Sequence, residues 1–200
     1  MDSIDILERL IAFPTVSRDS NLDLIGYAAE LLGANGIASQ LIHSADGHKA
    51  NLFAMIGPAD RPGIMLSGHT DVVPVDGQNW AQPPFAMTQR DGKLYGRGAA
   101  DMKGFVASAL AACLKASKMP LRTPLHLALS YDEEVGCLGV RDLIEMLRAA
   151  PQHPLLCIVG EPTNMQVATG HKGKLAARNR SCRCGRSRGR WISGTVSTWR

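Results

Sequence analysis

The chain has 200 residues, 45% of them apolar, and a formal charge of +4 from 22 Lys and Arg against 18 Asp and Glu, enough length and apolar side chain for one domain with a core. Seven Arg fall in residues 178–200 with no acid among them, leaving 15 basic and 18 acidic residues in 1–177, a net charge of −3. This excludes a basic nucleic-acid surface over the body of the chain, and no apolar run approaches the roughly 20 residues of a membrane span.

Asp2 and Asp5 follow Met1 where an export signal would be basic and then apolar, so a cytoplasmic protein is expected. Residues 3–13 carry Ile4, Leu7, Leu10 and Ile11 at helical spacing and are stopped by Pro14. A second helix is expected over about 22–34, ending at Gly36. Residues 39–43, 51–56 and 64–67 read as strands bounded by Asp46-Gly47, Gly57-Pro58 and Pro62-Gly63, and the first two can form a hairpin. After an irregular stretch over 80–89, Asp91-Gly92 has the chemistry of a tight hairpin turn. A helix over 105–117, a strand over 125–129, a helix over 138–149 and a buried strand over 155–159 follow. The alternation predicts an α/β fold with a mixed, largely parallel sheet flanked by helices, in which ligands gather beyond the carboxyl ends of strands. Cys113, Cys137 and Cys157 stand singly on apolar segments and are expected to be reduced core thiols.

Four acidic motifs punctuate this order: His69-Thr70-Asp71, Arg97 through Gly104 with Asp101 opening a helix, Asp132-Glu133-Glu134, and Gly160-Glu161-Pro162-Thr163. One imidazole and several carboxylates make the ligand set a pair of divalent ions needs to activate water. Alone, each has a plainer role: His69 as a surface or satisfied buried His, Asp101 as a helix cap, the acidic triplet as a solvated loop. On extended backbone His69 and Asp71 share a face, so Asp71 can accept one ring N–H while the other nitrogen meets a metal. Glu133 and Glu134, being adjacent, are expected to point apart, one toward metal and one toward substrate as a general base. Glu161 ends an apolar strand, where an unpaired carboxylate is costly.

These motifs, with Thr15 through Leu22, Ser67 through Pro74, Leu94 through Gly104, Ser130 through Gly139 and His171-Lys172-Gly173-Lys174, resemble the amino-terminal half of the M20 family of dinuclear zinc amidohydrolases and peptidases over roughly residues 1–177. The resemblance implies that His69 and Glu161 hold one zinc (or cobalt) ion, that Asp101 bridges two, and that Glu134 holds the second. It implies Glu133 as general base, with Asp71 assisting through His69. The implied partner is a small N-acylated amino acid, with hydrolysis of N-acetylornithine in arginine biosynthesis as the activity and succinyl-diaminopimelate as the alternative substrate. A homodimer is implied as well, although the lid and dimerisation domain and a late His of the second metal site fall outside the matching half. That second metal site is therefore expected to be incomplete here, and the chain to be a partial catalytic domain that lacks part of what activity requires.

Beyond residue 177 the character changes. Residues 178–190 contain no Leu, Ile, Val, Met or Phe, and two of the three Trp follow at 191 and 199. The organisation expected is a partial catalytic domain over 1–177 and a disordered, out-of-frame Arg-rich tail over 178–200. Cys182-Arg183-Cys184 lacks the spacing of a zinc finger. Two other readings compete with the enzyme: a non-catalytic remnant holding one metal on His69, Asp101 and Glu161, and a nucleic-acid binder acting through the tail, which the acidic body disfavours.

Overall fold

Helix α1 (Ser3–Ile11) starts at Asp2, whose carboxylate accepts the Ile4 and Asp5 N–H groups while the Asp5 carboxylate accepts that of Asp2. It buries Ile6, Leu7, Leu10 and Ile11, and the anticipated Ile4 faces solvent. Helix α2 (Leu22–Gly33) buries Leu24, Ile25, Ala28 and Leu32. Helix α3 (Lys103–Ala116) is Ala-rich, which lets α1 pack closely against it, and its Val106, Ala109 and Leu110 join the buried core. These descriptions come from a computed structural model that describes residues 1–170 and the backbone of 173–179 and 190–196. Among the described residues no helix is long and apolar enough to cross a membrane.

The strands β1 (Ser39–His43), β2 (Ala50–Ile56), β3 (Ile64–His69), β6 (Leu125–Ser130) and β7 (Leu156–Val159) form one sheet in the order β1-β2-β6-β3-β7. The sheet is mixed, as expected. The β1–β2 hairpin and the β2–β6 pair are antiparallel, while β6–β3 and β3–β7 are parallel. The parallel half places the carboxyl ends of β6, β3 and β7 side by side, with His69 opposite Ser130. Leu52, Ala54, Leu127 and Leu129 alternate into the core beneath the helices. Between β3 and α3, β4 (Thr88–Arg90) and β5 (Lys93–Tyr95) pair across Asp91 and Gly92, whose φ values of 51° and 70° are those of a two-residue turn. Helix α4 (Val140–Ala149) is amphipathic and buries Leu143.

Two expectations need correction. The apolar strand β7 is not buried: Leu156, Ile158 and Val159 are 54%, 44% and 57% exposed, because β7 is an end strand of this sheet and α4 lies nearer β2. For the same reason Cys157 is exposed, as is Cys137 in the loop before α4, and of these three only Cys113 is a core thiol.

The chain divides into the unit just described, Met1–Pro162, and a second unit, Thr163–Arg200. In the second unit β8 (Gly173–Asn179) pairs antiparallel with β9 (Arg190–Val196), from Gly173 opposite Val196 to Asn179 opposite Arg190. Residues of high strand propensity, Trp191, Ile192 and Val196 among them, lie in β9. His171, Lys172, Cys182 and Cys184 lie outside the described residues.

Candidate metal centre

The ends of β3 and β6 are bound by hydroxyls. Thr70 donates its N–H and its Oγ1 to the Ser130 carbonyl, Thr15 Oγ1 donates to the Thr70 carbonyl at 2.6 Å, and Asn21 Nδ2 donates to Thr70 Oγ1 and the Ala50 carbonyl. These bonds give the Thr15–Leu22 string its structural purpose and hold His69 at the carboxyl edge of the sheet, 2% exposed. The strand runs two residues further than expected, so His69 is its last member.

His69 has carboxylates on both sides. Its Nε2 lies 3.1 Å from Asp101 Oδ1 and 3.9 Å from both Glu133 Oε2 and Glu161 Oε1. Its Nδ1 lies 2.8 Å from the backbone carbonyl of Asp71 and 3.5 Å from that residue's carboxylate. The partner that orients the ring is thus mainly the Asp71 carbonyl, because β3 ends at His69 and Asp71 no longer follows strand geometry. The Asp71 carboxylate, 2% exposed, accepts Ser17 Oγ at 2.6 Å and the backbone N–H groups of Glu133 and Glu134 at 3.1 and 3.3 Å.

Glu133 and Glu134 do not point apart. Asp132 is left-handed at φ 57°, the backbone is no longer extended, and both carboxylates come within 4.8 Å of each other and of His69. Asp101 is not the cap of α3: the N-cap position is Met102, without a side-chain bond, and the Asp101 carboxylate turns to His69 instead. Gly98 makes this turn feasible at φ 81°, since a Cβ there would lie 2.8 Å from Val72 Cγ1 and 3.1 Å from Lys103 Cδ.

Sequence reasoning missed Lys103. It is fully buried at the amino end of α3 and donates to the carbonyls of Leu10 and Phe13 at 3.0 and 2.7 Å, fastening the Asp101 turn to the end of α1. Burial pushes its pKa down to about 7 against the opposing charge of Asp71. A lysine in the first turn of a helix, where the dipole disfavours a cation, was the available signal.

The donors fit a divalent ion. His69, Asp101 and Glu161 each offer an atom within 4.8 Å of the others, and so do His69, Glu133 and Glu134. Both sets combine imidazole with carboxylate, which suits zinc, cobalt or manganese. For His69, burial opposes protonation, but the Asp71 hydrogen bonds and charge, aided by Glu161, outweigh it and raise the pKa to about 9. Burial and then neighbouring acids, Asp101 chief among them for Glu134, push the carboxyls of Glu134 and Glu161 up. This is the electrostatic imbalance that a bound cation would relieve.

The profile of "Peptidase family M20/M25/M40" matches residues 65–182, a segment that contains all six of these residues. The chain belongs to this family. An acetylornithine deacetylase from Shigella sonnei is 37% identical over 181 residues, covering 86% of this chain and 46% of that protein. This M20 chain therefore spans less than half the length of that relative. Among solved structures it resembles human carnosine dipeptidase 1, with a TM-score of 0.68 at 20% identity over 88% of this chain and 41% of that one. An M20 family metallo-carboxypeptidase from Sulfolobus solfataricus gives a TM-score of 0.68 at 25% identity over 80% and 37%. The α/β sheet with His69 at its carboxyl edge is thus the M20 catalytic-domain fold, present in part.

Proposed function

We propose that this chain carries metal-dependent hydrolysis of the acetyl amide of N-acetylornithine, giving acetate and ornithine on the way to arginine. The observation behind it is the convergence of Asp101, Glu133, Glu134 and Glu161 on one buried imidazole; the 37% identity to an acetylornithine deacetylase supports the substrate. His69, Asp101 and Glu161 would hold one ion and Glu134 a second, with Asp101 between them. When bound, such ions acidify water and polarise a carbonyl.

The chain's own residues supply the rest. The Asp71 carbonyl keeps the proton of His69 on Nδ1, so that the Nε2 lone pair faces the carboxylates. Glu133, facing the same space, takes a proton from the attacking water and returns it to the leaving amine of ornithine. Beside His69, Glu133 and Glu161 a cavity of about 190 Å³ is walled by Met102, Tyr131, Cys137, Val140 and Val159. Among its described lining residues there is no Lys or Arg, which suits an acetyl group better than a succinyl carboxylate.

The deciding experiment is acetate release from N-acetylornithine by the 200-residue chain with zinc or cobalt, beside succinyl-diaminopimelate and a Glu133→Ala control. Turnover of the acetyl substrate that falls at least about a hundredfold in the control is expected. A folded, metal-loaded chain that releases no acetate would sink the catalytic reading and leave only metal binding.

A further inference from the structure

The segment carrying Glu133 and Glu134 is not part of the sheet, since β6 ends at Ser130. The Asp71 carboxylate attaches it through the two glutamate N–H groups. A second attachment comes from Lys49, just before β2. Its ammonium donates both to the Asp132 carboxylate and to the Ser17 carbonyl, and it lies 5.9 Å from the centre of the Tyr131 ring. The Lys49 and Asp132 side chains are 16% and 17% exposed, against 53% and 68% for the surface pair Arg61 and Asp60, so solvent screens the first pair much less. Ser17 closes the circuit by donating its Oγ to Asp71 at 2.6 Å. Asp132 is left-handed, a conformation that disfavours an L-residue unless its surroundings hold it.

We propose that Lys49 is a positioning residue for the loop that carries the base Glu133 and the ligand Glu134: by gripping Asp132 and Ser17 together it fixes the spacing between the glutamate loop and Asp71. This rests on the metal-binding reading above. It also predicts selectivity. His69, Asp101 and Glu161 are carried by the end of β3, the turn before α3 and the segment after β7, and Lys49 has no hydrogen bond to any of these. Loss of Lys49 therefore loosens the ion held by Glu134 and spares the one held by His69, Asp101 and Glu161.

The test uses Lys49→Met in the full 200-residue chain. In the metal-free protein, amide hydrogen exchange at Glu133 and Glu134 is expected to quicken about tenfold, the loss of one charge-assisted attachment. In a cobalt titration followed by visible absorption, one ion should bind about tenfold more weakly and the other within about twofold of wild type. Asp132→Asn should reproduce both effects, and the double variant should add nothing to either single change. Lys49→Arg, which keeps the charge, should restore part of the effect. Unchanged exchange at both glutamates, or equal weakening of both ions with a general drop in melting temperature, would overturn the proposal. Wild type that takes up no cobalt would refute the metal reading instead, and the exchange rates would still decide whether Lys49 anchors the loop.

Discussion

Asp71 collects donors from three directions: Ser17 from the loop after α1, the two glutamate amides from the loop after β6, and the imidazole of His69. Burial alone would raise its pKa, but the His69 and Ser17 hydrogen bonds and the Glu133 amide together hold it below the ordinary 3.8. Replacing its charge while keeping its shape, Asp71→Asn, should let burial count for more at His69. The His69 pKa is then expected to drop from about 9 toward its ordinary 6.5, read from the ring C–H shifts in an NMR titration. A value that stays near 9 would mean that Glu161 and the other acids, not Asp71, set it. The spacing of His69 and Asp71 made their pairing legible in the sequence, but not that the Asp71 carbonyl, at 2.8 Å, lies nearer the ring than the carboxylate at 3.5 Å. The end of the strand at His69, two residues before Asp71, decided that.

At the scale of elements, helix and strand order follow closely from periodicity and from turn residues such as Asp91-Gly92, because these signals are local. Where elements touch is not local. At Gly160, directly after β7, an added Cβ would lie 1.8 Å from Cγ of Phe105 on α3, so glycine is what lets the two elements meet beside Glu161. Gly160→Ala should cost about 1–3 kcal/mol through overpacking, measured by urea denaturation, and should weaken zinc binding by moving Glu161. Unchanged affinity with lowered stability would separate Glu161 from the metal. The Lys103 anchor belongs to the same scale: the string around Asp101 displays the lysine, but only the approach of α1 to α3 supplies the carbonyls of Leu10 and Phe13 that receive it.

Over the whole molecule the same charges set a pH dependence. In the metal-free chain His69 has a pKa raised from 6.5 to about 9, so its contribution to stability is complete below 6.5 and is lost as pH rises through 9. Asp71 is held below 3.8, so its contribution is complete above 3.8 and is lost as pH falls through its lower folded value. Both are complete between these two ordinary values. Zinc, which needs neutral His69, should bind about tenfold more tightly per pH unit up to about 9. Melting temperatures with and without zinc should therefore diverge as pH rises from 6.5 to 9. Parallel curves would exclude His69 as a ligand.

By itself the sequence determined the order of elements, the mixed α/β class, and the identities of the residues that crowd the carboxyl edge of the sheet, since hydrophobic period, turn chemistry and motif order are properties of neighbouring residues. Only the tertiary structure decided that Glu133 and Glu134 face the same imidazole, that Asp101 turns away from its helix, that β7 lies exposed, and that Ser17, Lys49 and Lys103 hold the loops. These depend on where a strand stops and on which distant carbonyls and carboxylates are brought within hydrogen-bond reach, and no local pattern in the chain encodes such distances.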